Sequence, residues 1–345
     1  MNRFRARAAV SLITVALGCT AVAAPALAST AAAPTSGQAA SGWLARQMVA
    51  GSHFVTVYAG VSYPAQGETI DAIFAFAATK SADAYGKRAI TWLSHAGVLY
   101  NYIGSGTESY AGETAKLALA AEVRGINPAR FGGVDLIARL GKLLTKSGRY
   151  SDHSVYGDYS NAFSQALAII ALSRDGGAPA KAVRFLVSSE CKNGGFPLYF
   201  AQKTCVSDTD STGMDVQALL AAGDRTAAVR GLEWLIRVQR HDGGFLASGG
   251  TVPNANTTGL DGEAFAAAGW HTRAALAAKF LRSLQRGCSA KSYLRGALAY
   301  DSTGFVESSA IDATAQGILG LADVSLASIS ARGSSSGAPR LACAA

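Results

Sequence analysis

Residues 208–245 read DTDSTGMDVQALLAAGDRTAAVRGLEWLIRVQRHDGGF. Asp208, Asp210 and Thr212 offer side-chain oxygens to helix amides that lack partners, and acids there suit the positive end of a helix dipole. From Met214 to Ala222 the segment is apolar almost all round, and such a helix has to be covered on every side. Gly223 and Asp224 break it. From Ala227 onward Val229, Leu232, Leu235, Ile236 and Val238 form a stripe with Arg230, Glu233, Arg237 and Arg240 opposite, the pattern of an outer helix with one wet face. Asp242-Gly243-Gly244 is turn chemistry, and Phe245 can fold back onto the core. The unit is an inner helix, an outer helix and an aromatic-tipped loop.

Working outward, the Asp215 position matches Asp71, Thr114, Ala166, Asp261 and Thr314, roughly 43 to 53 residues apart, which is the period of stacked helical hairpins. Inner helices are expected near 70–78, 113–121, 162–172, 212–222, 260–268 and 311–321, all Ala-rich. Outer helices are expected near 87–94, 134–144, 180–188, 227–239 and 274–284, and an additional one at 42–48 can partner the last inner helix. Gly195-Phe196, Gly244-Phe245 and Gly304-Phe305 are read as one repeated loop position, with Gly148-Arg149-Tyr150 a looser version. An open solenoid needs polar end caps, and none is evident. The expectation is therefore an all-α, closed double ring of helices, an (α/α)6 toroid, occupying residues 41–327 as one domain.

Outside that domain, Arg3, Arg5 and Arg7 precede an apolar run from Ala8 to Gly18, and Ala26-Leu27-Ala28 offers small residues for cleavage. Residues 1–28 read as a secretory signal peptide, too short for a spanning helix. The rival, a lipid-modified Cys19, has its Leu displaced from the usual position. Residues 29–40 read as a flexible linker and 328–345 as a low-complexity tail that a disulfide can tie down. Removing the leader takes three arginines and no acids, so 28 basic residues face 23 acidic ones, a net of +5. No Lys/Arg run of the nucleic-acid-binding kind occurs, and no later apolar run is long enough to span a bilayer. The expected setting is extracellular.

Four cysteines remain: Cys191, Cys205, Cys288 and Cys343. Three connectivities are open. Cys191 and Cys205 bracket a single loop and are the natural pair, which leaves Cys288 to tie the last outer helix to the tail through Cys343. Zinc ligation has neither a C-x-x-C nor a nearby His to support it, so no metal is expected. The five histidines are scattered, and the G-x-S-x-G match at 333–337 lies in the tail without the strand-to-helix context of a nucleophile elbow.

Gln239-x-x-x-Gly243-x-Phe245 resembles the Q-x-x-x-G-x-W repeat of squalene and other triterpene cyclases, with Phe in place of Trp; Glu190-x-x-x-Gly194-x-Phe196 is a weaker copy. Asp210-Ser211-Thr212-Gly213 and Asn256-Thr257-Thr258-Gly259 are similar to helix starts of the same superfamily, which includes protein prenyltransferase β subunits, thioester domains and cobalamin carriers. The resemblance spans roughly residues 62–323 and implies the toroid; its members do unrelated chemistry on one scaffold. Cyclases of the protonating type carry D-x-D-D. Here the run is Asp208-Thr209-Asp210-Ser211, which keeps the central acid and replaces the last by Ser, weakening the network that would hold Asp210 protonated. The prenyltransferase zinc ligands and the Cys-Gly-Glu-Gln thioester run are absent. Gln239 and Phe245 are expected to brace one repeat against the next.

If the ring closes, all six inner-helix starts gather at one mouth. Candidate ligand-binding residues there are Tyr110, Tyr156, Asp158, Tyr159, Asn161, Asp208, Asn254, Asn256 and Glu307, with Asp210 a candidate general acid. For Asp208 and Asp210 the bland alternative is helix capping. The expected function is binding of a bulky, partly apolar small molecule, which the resemblance narrows to a terpenoid, polyprenyl or corrinoid compound; no cofactor is identified. One rival is a minimal terpene cyclase or transferase using Asp210. Another is a cell-surface interaction scaffold, whose barrel centre would be plugged by side chains.

Overall fold

Alanine lets inner helices approach closely, and that spacing sets the ring. The computed structural model describes residues 33–344, and from Pro34 onward they form one unit. In chain order the elements are α1 (Ser36–Gln47), a hairpin of β1 (Phe54–Tyr58) and β2 (Val61–Ala65), α2 (Gln66–Thr79), α3 (Asp83–Leu93), α4 (Ala96–Ile103), α5 (Ala111–Val123), α6 (Leu136–Leu143), α7 (Ala162–Arg174), α8 (Ala180–Ser188), α9 (Thr209–Ala221), α10 (Arg225–Val238), α11 (Ala255–Ala268), α12 (His271–Leu284) and α13 (Glu307–Ala322). Helices α2, α5, α7, α9, α11 and α13 each pack on the next, and α13 packs on α2, so the ring closes. Helices α3, α6, α8, α10 and α12 lie outside their partners, and α1 covers the seam between α13 and α2. The molecule is the expected (α/α)6 toroid.

The inner helices start up to five residues before their apolar segments, and three of them carry a side-chain cap. Asn161, Asp208 and Asn254 are the N-caps of α7, α9 and α11. The tightest approach is between α11 and α13, where a side chain at Gly259 would strike the Gln316 carbonyl and one at Gly320 would meet the Gly259 backbone.

One device fixes the connecting loops to the inner helices. The backbone N–H of Phe54, Phe196, Phe245 and Leu298 donates to the hydroxyls of Thr69, Thr212, Thr258 and Thr314 at 2.8–3.0 Å. Tyr150 does the same to Gln165 Oε1 at 2.8 Å. All five loop residues are buried. The last repeat therefore uses Leu298, not Phe305, which corrects the assignment of Gly304-Phe305 to this position. Gln239 braces neighbouring repeats, its Nε2 donating to the carbonyls of Gly243 and Arg273 at 3.3 Å.

Three further differences from the sequence reading concern the flanks. Helix α1 begins at Ser36, inside the stretch read as linker, with Thr35 and Gln38 forming a capping box. The β1–β2 hairpin was not expected; Ala59 and Gly60 both have positive φ, as a two-residue hairpin turn requires. The tail is not loose. Leu326 and Ile329 are buried, and the carbonyls of Ser335, Ser336 and Gly337 accept the N–H groups of Asp83, Ala84 and Ala82, capping α3, which has no side-chain cap of its own. Pro339 packs on Gly42, where no side chain would fit. Cys191 bonds to Cys205 and Cys288 to Cys343, with Cα separations of 5.5 and 5.6 Å. The signal-peptide reading, including Cys19, falls on residues outside those described. Among the described residues no helix is long and apolar enough to cross a membrane.

Candidate functional site

The interior of the ring is set by helical spacing. On α9, Asp210 and Met214 follow i, i+4, and on α11 Asn256, Leu260 and Glu263 follow i, i+4, i+7, one face of each helix turned inward. These faces, with Asp71 and Phe74 of α2, Lys116 of α5, Phe163 and Leu167 of α7, and Gln316 and Leu319 of α13, line a cavity of about 360 Å3. Tyr300, Asn254 and Ala247 stand at its upper rim, and Leu326 of the tail closes its floor. The barrel centre is open, of a size that small-molecule pockets have.

Its walls mix apolar and polar side chains in about equal measure. Lys116 Nζ lies 2.7 Å from Asp71 Oδ1. Glu263 is 2% exposed and its Oε2 accepts from Gln217 Nε2 at 3.3 Å. Burial pushes its carboxyl well above the usual range, despite the Gln217 hydrogen bond, and the Asp71 charge adds to the rise. Asp210 is pushed up to about 6, first by burial; the Thr257 hydroxyl pulls the other way and the Asp208 charge adds. Its Oδ1 is buried without a partner among the described residues, as is Asn256 Oδ1. Asp312 of α13 is likewise raised to about 6 by burial and then by Glu68 and Asp71, with Lys116 opposing. Asp215 and Asp261 are fully buried, and among the described residues no carboxyl oxygen of either has a partner; burial raises both well above the usual range, and Asp261 packs against Gly213 between α11 and α9.

Of the residues expected at the mouth, the cavity gathers Asp210, Asn254 and Asn256. Asn254 also caps α11, accepting from the Thr257 N–H at 3.0 Å. The others lie apart from the cavity. Asp208 is a cap, its Oδ1 accepting from Ser211 N–H at 2.8 Å and its Oδ2 from the Ser248 hydroxyl at 2.6 Å. Asn161 caps α7. Asp158 accepts the N–H groups of Asp152 and Ser160 and pairs with Arg149 at 3.1 Å. The Tyr110 hydroxyl donates to Glu108 at 3.3 Å. Tyr156 and Tyr159 are each 74% exposed, and Glu307 is exposed in the first turn of α13.

Asp71, Lys116, Glu263, Tyr300 and Gln316 were not anticipated. The signal was present for Lys116 and Glu263: each is a charge in the middle of an Ala-rich inner helix, and the repeat puts such positions in the interior. Among the described residues no group of three His, Cys, Asp or Glu is placed to hold a metal ion.

No protein-family profile and no curated protein sequence matches the chain. Solved structures do. A protein from Actinoplanes superposes with a TM-score of 0.62 at 16% identity, over 84% of this chain and 98% of that one. The type II terpene cyclase MstE from Scytonema, without ligand, gives 0.61 at 15% identity over 83% and 96% of the two chains. A glycosidase gives 0.54 at 14% identity over 84% and 96%. Proteins of two different chemistries thus share the scaffold, and at these identities the likeness is one of architecture. The chain has the helical-toroid fold of terpene cyclase-like proteins.

Proposed function

We propose that this is an exported protein whose barrel interior binds a compact, partly apolar small molecule. The observation that carries this reading is the 360 Å3 cavity itself, with Phe74, Phe163, Leu167, Met214, Leu260 and Leu319 for an apolar body and Asp210, Asn256 and Glu263 for a polar group. An open centre argues against a pure interaction scaffold. The two disulfides suit an oxidising compartment. The test is native mass spectrometry of the exported protein for a co-purifying small molecule, repeated on Leu319→Trp, which fills the cavity. Retention of the same molecule by that variant would remove the cavity from consideration.

A second reading, acid catalysis on an isoprenoid, has one specific observation in its favour. Asp210 is a carboxylic acid held near 6 in the cavity lining, with one buried oxygen left without a hydrogen-bond partner among the described residues. Such an acid can deliver a proton, and flanking aromatic rings can stabilise positive charge. Turnover of a polyprenyl compound that Asp210→Asn abolishes, with ligand affinity retained, would establish this reading over simple binding.

A further inference from the structure

The ionisable Asp, Glu, Lys, Arg and His side chains lining the interior are acidic with one exception. Among the residues lining the cavity Lys116 is the only Lys, Arg or His, and it is engaged by Asp71. Against it stand Asp210 and Glu263 on the walls, with Glu68, Glu113 and Asp312 close by: Asp312 senses the charges of Glu68 and Asp71, and Glu113 that of Lys116. Glu263 is the informative member. It is 98% removed from solvent by its 2% exposure, lies on the cavity wall, and has Gln217 as its single hydrogen-bond partner, through Oε2. Its Oε1 has none among the described residues, and Asp210 Oδ1 and Asn256 Oδ1 are also unpartnered. Buried acceptors without donors are costly. An anionic or carbonyl-bearing guest would add acceptors to acceptors. A guest that donates and does not accept satisfies the open oxygen of Glu263.

We propose that the cavity selects a ligand bearing one compact organic ammonium group on an apolar body, with the ammonium paired to Glu263 and the body against Phe74, Leu319 and Leu326. This rests on the reading that the interior binds a small molecule. An ammonium has three donors and no acceptor; its charge offsets the burial that otherwise keeps the Glu263 carboxyl protonated, and a charge-assisted hydrogen bond to the resulting carboxylate is the stronger kind. The Phe74 ring in the same cavity lining adds a surface that favours cations.

The test uses two guests of one shape, 1-aminoadamantane and 1-adamantanol, titrated calorimetrically into the intact chain at pH 8. The amine is expected to bind about tenfold tighter or more, the scale of one charge-assisted hydrogen bond. Glu263→Gln is expected to erase most of that preference while moving the alcohol's affinity by no more than about threefold. Equal affinities in the wild-type chain would overturn the ammonium proposal and leave the binding reading standing. Binding of neither guest would overturn both. The wild-type comparison needs no variant, so misfolding of Glu263→Gln does not shelter the proposal.

Discussion

Gln217 and Glu263 meet across the boundary between α9 and α11, Nε2 to Oε2 at 3.3 Å, while Gln217 Oε1 accepts the backbone N–H of Leu326 at 3.1 Å. One amide thus joins a buried wall carboxyl to the residue that floors the cavity. Arg174 holds the same turn of the tail from α7, its Nη1 donating to the Ala327 carbonyl at 2.6 Å. The tail is part of the site because these two side chains reach it.

Replacing Gln217 by Ala strips a buried N–H and a buried carboxyl of their partners at once. The expected loss is about 2 kcal/mol, the cost of leaving buried polar groups unpaired. Urea unfolding measures the total, and amide exchange locates it: the Leu326 N–H should exchange faster while the outer helices keep their protection. Unchanged protection at Leu326 would show that Gln217 does not hold the floor.

Asp210 gives a pH signature. Its folded value of about 6 lies above the ordinary 3.8, so the folded state holds the proton more tightly than the unfolded chain. The stability linked to that proton is fully present below 3.8 and is lost as pH rises through 6. A shift of this size corresponds to about 3 kcal/mol. Asp210→Asn cannot ionise, so its stability relative to the wild type should grow between pH 4 and pH 7 by up to roughly that amount. A difference that stays constant across this range in urea unfolding would mean that Asp210 is not held as a raised acid.

How much of this was legible follows from what each residue signals. The helices were readable because stripes such as Val229, Leu232 and Leu235 state which face is wet, and closure was readable because residues 42–48 supplied an outer helix out of turn. Asp208 and Asp210 are indistinguishable as letters: both are acids at a helix start. Two residues of helical rotation separate them, so Asp208 turns back to cap Ser211 while Asp210 faces inward. Capping was therefore the right reading for one and the wrong one for the other. Lys116 and Glu263 stand in the middles of Ala-rich helices, where the sequence pattern signals packing, whereas polar side chains at helix starts signal a site. The loop position was misread in the last repeat because a Gly-Phe pair outweighed Leu298, although the Thr314 hydroxyl selects a backbone N–H and is indifferent to the side chain.

The exposed tyrosines of the 153–160 loop separate the mouth from the interior as the binding surface. Tyr156→Ala and Tyr159→Ala remove rings that stand 74% in solvent. Stability should stay within about 0.5 kcal/mol, as for most surface changes. Affinity for 1-aminoadamantane should stay within about twofold, whereas Leu319→Trp should abolish binding by filling a cavity of this size. A tenfold loss in either tyrosine variant would move the site outward to the rim.

The Cys288–Cys343 bond closes a separation of 55 residues, against 14 for Cys191–Cys205. In the chain-entropy model the longer loop contributes about 4 kcal/mol and the shorter about 3. Removing Cys288 and Cys343 together should therefore lower stability more than removing the other pair, with urea unfolding as the measure. The tail should not come away whole. Residues 335–337 stay bonded to the start of α3, Leu326 and Ala327 stay held by Gln217 and Arg174, and Arg46 holds the Pro339 carbonyl, so fraying is expected only beyond Pro339. Trypsin reads this directly, because Arg332 and Arg340 are both exposed and stand on opposite sides of that limit. In the Cys288→Ser, Cys343→Ser chain, cleavage after Arg340 should precede cleavage after Arg332. The reverse order would mean that the disulfide alone pins the tail and that its contacts with α3 contribute little.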